Sequence, residues 1–191
     1  MKPDVVIIGG GVMGCAVAYH LAFLGAKPLL FERRGLAEGA TSRAAGLLSR
    51  ARSNASLVSL VRQTYADIVA LEEEGAGPIG ARFTGSLYIG ASPAAKAAHR
   101  KLMAQSDEAG EKVRALTVEE AMESLPWLCL AGDEEAFLMP EDAHVDGYAL
   151  ASAYARAARR RGAQIREGEA VAEITRNRDR VTGVRTAKGL V

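Results

Sequence analysis

The sequence predicts an α/β fold built on a parallel sheet. Three observations carry this. A β-branched run, Val5-Val6-Ile7-Ile8, enters a glycine cluster and then a helix of small apolar residues. A second apolar strand, Lys27 to Glu32, follows that helix, and strand patterning returns at Ala163 after a helix that Asp146 is placed to cap.

Val5 to Ile8 has the pattern of a strand covered on both faces. Val12 to Leu24 is small and apolar nearly all round, as for a helix lying close under a sheet, and Gly25 supplies its left-handed stop. With Lys27 to Glu32 this makes a strand–helix–strand unit with a right-handed crossover. Residues 34 to 54 are too small and polar for a core element and read as a loop with one short helix. Leu57 to Glu74 has a helical apolar period. Arg82 to Ile89 alternates as a strand, with a bulge at Gly85. Ala94 to Gly110 and Val118 to Leu125 are helices, the second opened by Thr117 with Glu120 at capping-box spacing. Asp146 caps a helix from Gly147 to Arg161 that Gly162 closes. Ala163 to Glu167, Ala170 to Arg176 and Arg180 to Thr186 are strands, the last two joined by a turn at Asn177-Arg178-Asp179.

Composition narrows the function. The 191 residues carry 24 Lys and Arg against 23 Asp and Glu, so no net field draws the chain to nucleic acid. Cys15 and Cys129 stand far apart with no second pair at metal spacing, which indicates neither a disulfide framework nor a metal site. No apolar stretch is long enough for a membrane span, and no transit-like stretch precedes Val5, so the expected compartment is the cytoplasm.

Gly9-Gly10-Gly11-Val12-Met13-Gly14 is a G-x-G-x-x-G at a strand-to-helix junction. Gly9 allows the tight turn, Gly11 lets backbone approach a pyrophosphate, and Gly14 lets the helix lie close on the sheet. The N–H groups and positive end of the helix face the phosphates. Glu32 ends the second strand 23 positions after Gly9, where its carboxylate can accept from a ribose diol and disfavours a 2′-phosphate. These are the marks of a dinucleotide site, and they do not separate NAD from FAD. Thr41, Ser42, Arg43, Gly46 and Leu47 follow the acid closely enough to wrap a pyrophosphate and reach an isoalloxazine ring, although a solvated loop with Ser42 as a helix cap has the same composition.

The stretches VVIIGGGVMGCAVAYHLAFLGAKPLLFER and GATSRAAGLLS resemble the N-terminal half of the D-amino-acid-oxidase-like family of FAD-dependent amine oxidoreductases. Arg52 to Arg62, Leu71 to Glu74, Thr84 to Gly90, Leu116 to Glu120, Leu125 to Trp127 and Pro140 to Leu150 are similar to its sarcosine and dimethylglycine dehydrogenase branch. The resemblance implies a Rossmann-like FAD-binding domain (1–50 and 140–191) with an inserted, incomplete α+β substrate domain (51–139). It implies oxidation of the C–H next to a small amine to an imine by hydride transfer to flavin. Gly9, Gly11, Val12, Met13 and Gly14 would meet the pyrophosphate, Glu32 and Arg33 the adenosine side, Thr41 to Leu47 the flavin side, and the Val171 backbone the adenine. Where the dimethylglycine branch carries a Trp-His pair whose His links covalently to flavin, this chain has Ser42-Arg43, so the FAD is expected to be non-covalent.

No residue is assigned as catalytic, because the cofactor carries the hard chemistry. His20 is expected to pack or sit on the helix surface, His99 to be solvated, His144 to serve a loop, Cys15 to pack, Trp127 to anchor packing and Arg156 to Arg161 to form a solvated basic helix end. Such family members continue for about as many residues again, so the chain reads as an N-terminal half: a fragment, a split subunit or a disrupted gene. Its partners are then a small amine, an unidentified electron acceptor, and a complementary C-terminal polypeptide or a second copy. An NAD-dependent dehydrogenase and a dinucleotide-binding module without turnover are the alternatives.

Overall fold

The structure is a computed structural model that describes residues 2–52 and 54–191; Ser53, within the stretch read as loop, lies outside the described residues. Among these the elements are, in order, β1 (Val5–Ile8), α1 (Val12–Phe23), β2 (Pro28–Phe31), a 3-10 turn (Thr41–Arg43), β3 (Leu47–Leu48), α2 (Ala55–Glu73), β4 (Ser86–Gly90), α3 (Pro93–Glu108), β5 (Arg114–Leu116), α4 (Val118–Ser124), β6 (Glu135–Met139), β7 (Ala143–His144), α5 (Gly147–Arg160), β8 (Gln164–Arg166), β9 (Val171–Asn177), β10 (Arg180–Thr186) and β11 (Gly189–Leu190). They gather into two compact units. One holds the chain up to Gly46 with Ile68–Gly80 and Asp146–Val191; the other holds Leu47–Asp67 and Ala81–Val145. Ile68–Gly80 therefore gathers with the first unit, whereas the sequence reading kept it in the insert.

In the first unit β1, β2 and β8 form a parallel sheet in the order β1-β2-β8, with Val5 opposite Pro28 and Leu29 opposite Gln164. Every residue of the central β2 is buried, as its apolar run requires. β1 departs from expectation. Its pattern predicts cover on both faces, yet Val5 and Ile8 are exposed, because β1 is an edge strand among the described residues. Strand alternation divides the side chains: Val6, Leu29 and Phe31 pack with Val171, Val184 and Val191 of the β9–β10–β11 sheet, while Ile7 lies under α1 at Gly14. The β9–β10 turn has two residues, Arg178-Asp179, with Arg178 at φ +52°.

α5 begins where Asp146 Oδ1 accepts from the N–H groups of Tyr148 (2.8 Å) and Ala149 (3.1 Å). Its buried row is mostly alanine, which lets α1 approach closely along Cys15, Ala18 and Ala22. The basic end is not simply solvated. Arg161 pairs with Glu74 at 2.6 Å and lies over the Tyr19 ring, Arg159 pairs with Glu167, and Arg156 donates to the Ala76 carbonyl. These contacts explain why Ile68–Gly80 belongs to this unit.

In the second unit β6 is the centre of an antiparallel sheet in the order β4-β6-β5. Tyr88 stacks on Phe137 with centroids 4.6 Å apart. His99 meets both rings edge-on, so it is half-buried rather than solvated as its polar helix suggested. Gly85, at φ +75°, breaks the expected strand, which starts only at Ser86 and leaves Arg82 as a single bridge to His144. Trp127 is 76% exposed rather than the buried packing anchor its type suggested. The Thr117–Glu120 capping box forms as the spacing requires. Cys15 is buried and Cys129 exposed, and both are free thiols. Among the described residues no helix is long and apolar enough to cross a membrane.

Two substitutions test this packing. Gly14→Ala would put a Cβ onto the Gly9 carbonyl oxygen and should destabilise the chain by about 1–3 kcal/mol. Asp146→Ala should cost about 1 kcal/mol through the lost cap. Chemical denaturation measures both, and a Gly14→Ala variant as stable as the parent would refute the close approach.

Candidate functional site

β1 ends at Ile8, and the chain turns at Gly9 with φ +108°, a conformation that only glycine adopts without strain. The Gly9 N–H donates to the Phe31 carbonyl at 2.8 Å, holding the turn against β2. α1 starts at Val12 with Gly11 as its cap residue and no acidic side chain in its first turn. A side chain at Gly14 has no space, because the Gly9 carbonyl occupies it. A Cβ on Gly10 would meet Leu36 Cδ2 at 2.6 Å and Glu32 Cβ at 2.9 Å. One on Gly11 would meet Thr41 Oγ1 at 3.1 Å.

Glu32 follows β2 directly, as the spacing predicted. Its Oε2 accepts from the Gly10 N–H at 2.7 Å and its Oε1 from the Arg34 N–H at 2.9 Å. Each oxygen keeps a further lone pair for an incoming hydroxyl. Burial pushes the Glu32 carboxyl up, but those two N–H groups and the Arg33 and Arg34 guanidinia outweigh it and hold the carboxyl below its ordinary value. Thr41 lies at the same helix end, where its Oγ1 accepts from the Val12 N–H at 3.1 Å. A phosphate arriving there would compete with Thr41 for that donor.

The chain matches the protein family described as FAD dependent oxidoreductase over residues 4–191. The chain belongs to that family. It is 32% identical to the 4-methylaminobutanoate oxidase (formaldehyde-forming) of Paenarthrobacter nicotinovorans across 97% of this chain and 23% of that protein. It is also 32% identical to human mitochondrial sarcosine dehydrogenase across 98% of this chain and 21% of that one. The solved glycine oxidase of Bacillus cereus superposes with a TM-score of 0.83 at 34% identity, covering all of this chain and 53% of its own. The chain thus spans about a fifth to a quarter of those curated relatives and about half of the solved one.

Within this chain, Gly9, Gly11, Val12, Met13, Gly14, Glu32 and Thr41 gather at the end of β1. Met13 is exposed at the first turn of α1. Arg33, Ser42 and Arg43 are exposed at the same unit's surface, and Gly46 turns with φ +73°. Leu47 belongs to the second unit, where it pairs with His144 in the β3–β7 ladder. The Val171 side chain packs against the Leu29, Phe31 and Val184 cluster, and the residue opens β9 opposite Thr186. His144 lies in β7, paired with Leu47 and bridged to Arg82, rather than in a loop, and the His20 and Tyr19 ring centroids are 5.0 Å apart. Cys15 is buried, and burial pushes its thiol up to about 12, so it is inert.

Three framework positions escaped the sequence reading. Ala37 adopts φ +61°, a left-handed conformation that costs a non-glycine residue energy. It is held by donating to the Gly10 carbonyl at 2.9 Å and accepting from Ser42 N–H at 3.1 Å. Gly147 has no room for a side chain, since a Cβ would fall 2.5 Å from the Thr41 carbonyl oxygen. Glu169, buried after β8, accepts from Thr186 Oγ1 (2.7 Å) and Lys188 Nζ (3.1 Å), and its N–H donates to the Glu32 carbonyl (2.9 Å). Gly147, directly after the Asp146 cap, was a visible signal; Ala37 and Glu169 carried none.

The hydroxyl of Thr186, despite the opposing effect of burial, and then the Lys188 ammonium hold the Glu169 carboxyl below its ordinary value, as the Gly10 and Arg34 amides do for Glu32. A carboxyl lowered in the folded state stabilises above its unfolded value, about 4.3, and that contribution is lost as pH falls through the folded value. Thermal melts from neutral pH downward should show an acid-side loss of stability that is shallower in Glu32→Gln and in Glu169→Gln. Variant curves parallel to the parent's would contradict these assignments.

Proposed function

We propose that the chain is the FAD-binding part of an oxidoreductase that oxidises the C–H next to nitrogen in a small amine or amino acid. The observation that carries this reading is the side-chain-free junction of Gly9, Gly11 and Gly14 at the start of α1 with the Glu32 carboxylate beside it. The named substrates of the relatives, 4-methylaminobutanoate, sarcosine and glycine, supply the substrate class: each has an amine nitrogen on the carbon to be oxidised and a carboxylate. Bound FAD supplies the acceptor for the electron pair leaving that carbon.

The work of this chain is then binding and orientation. The positive end of α1 faces the pyrophosphate, with Gly11 and Met13 presenting backbone and Val12 doing so once Thr41 Oγ1 gives way. Glu32 accepts from the ribose hydroxyls through its remaining lone pairs, held in place by Gly10 and Arg34. Ser42 and Arg43 face the flavin side and form no covalent link to it, since a guanidinium that stays protonated is no nucleophile.

The purified protein should absorb at about 370 and about 450 nm, and the colour should pass a filter after denaturation, as for non-covalent FAD. A protein that stays colourless after incubation with FAD would overturn the reading, and NADH binding in its place would favour the dehydrogenase alternative. Glu32→Ala should weaken FAD binding by about tenfold or more, while His99→Ala should leave it unchanged. Equal affinities in the two variants would remove the ribose assignment.

A further inference from the structure

We infer that a cleft in the second unit, bounded by α3, β5, β6 and the start of α4, binds a small uncharged aromatic molecule that carries a hydroxyl group. The cleft has a volume of about 360 Å³, near the lower end of the range for small-molecule sites, about 300–1,000 Å³. It suits a single ring rather than a dinucleotide. Met103 of α3, Leu116 of β5, Val118 of α4, and Ala136 and Phe137 of β6 make its wall apolar. The thioether and the phenyl ring favour an aromatic guest over an aliphatic one. All the lining residues lie in the second unit, so the cleft is built by that unit alone.

The polar groups around the cleft decide the rest. Arg100 is committed to Glu135, its Nε donating to Oε2 at 2.6 Å. The Glu134 carboxylate accepts from the Ala131 N–H at 3.1 Å and the Gly132 N–H at 2.9 Å. The Thr117 hydroxyl accepts from the Glu120 N–H in the cap of α4. His99 is different, because its Nδ1 is shut off from solvent and has no hydrogen-bond partner among the described residues. Its ring is held edge-on to Tyr88 and Phe137, with centroids 6.1 Å and 5.8 Å away. Buried polar atoms are normally paired. A hydroxyl pairs with an imidazole in either tautomer, since it both donates and accepts. An anion would be repelled by Glu134 and Glu135, with the one guanidinium already engaged. A cation would leave water for an apolar wall whose neighbouring carboxylates are already bonded.

The inference is independent of the flavin reading, and its test uses no flavin. The 191-residue chain, isotope-labelled at its methionine methyl groups, is titrated with phenol, benzene and benzoate while the Met103 resonance is followed. Phenol should shift that resonance saturably, and benzoate should bind about tenfold more weakly or not at all. His99→Phe keeps an aromatic ring and removes the nitrogens, so it should lower the affinity for phenol relative to benzene by about fivefold or more. Ala115 is an exposed residue of the wall, so Ala115→Leu should weaken phenol and benzene alike and leave the melting temperature unchanged. Absence of a saturable shift at Met103 overturns the inference, as does benzoate bound as tightly as phenol. A phenol-to-benzene ratio that His99→Phe leaves unchanged removes the hydroxyl–imidazole pairing and overturns it too. Should His99→Phe not fold, phenol binding at full strength in Ala115→Leu has the same consequence.

Discussion

The site depends on one close approach: the first turn of α1 lies against the end of β1 with nothing but hydrogen between the Gly14 Cα and the Gly9 carbonyl. That contact fixes where the helix begins and which way its N-terminus points. Everything that gathers there follows from it. Gly10 is brought within reach of Glu32, Thr41 reaches the Val12 N–H, and Ala37 is drawn into a conformation it would not adopt by itself. A methyl group at position 14 would displace the helix end by more than a hydrogen bond tolerates.

The same economy holds around Glu32. One carboxylate ties the glycine turn to the segment after β2, and the backbone of Glu32 is tied in turn to Glu169. The loop that follows β8 is thus bonded directly to the acid's own peptide. An acid at this position is structural before any ligand arrives, and its lowered proton affinity keeps it charged and able to accept.

What was legible in the sequence was local. The glycine fingerprint, the Asp146 cap, the Thr117–Glu120 capping box and the β9–β10 turn each depend on residues within a few positions, and each formed. β6 was not legible: Glu-Ala-Phe-Leu-Met is a run of helix-favouring residues, made a strand by β4 and β5 on its two sides. The division within α2 left no mark either, because the helical period runs unbroken from one compact unit into the other. Trp127 misled through its type, since large aromatic residues are usually buried, and the exposed β1 misled through its neighbours. In the candidate site the glycines and Glu32 were readable from spacing. The bonds Glu32 makes to Gly10 and Arg34, and the hold of Thr41 on Val12, required coordinates.

The central claim is that the junction of β1 and α1 receives the adenosine diphosphate portion of the cofactor. Calorimetric titration of the chain with ADP, followed by competition against FAD, tests it most directly, because ADP lacks the flavin and isolates this end of the site. The account expects ADP to bind, to compete with FAD for one site, and to lose affinity when Gly11 is replaced by Val. FAD binding that ADP does not displace, or that survives Gly11→Val unchanged, would contradict it.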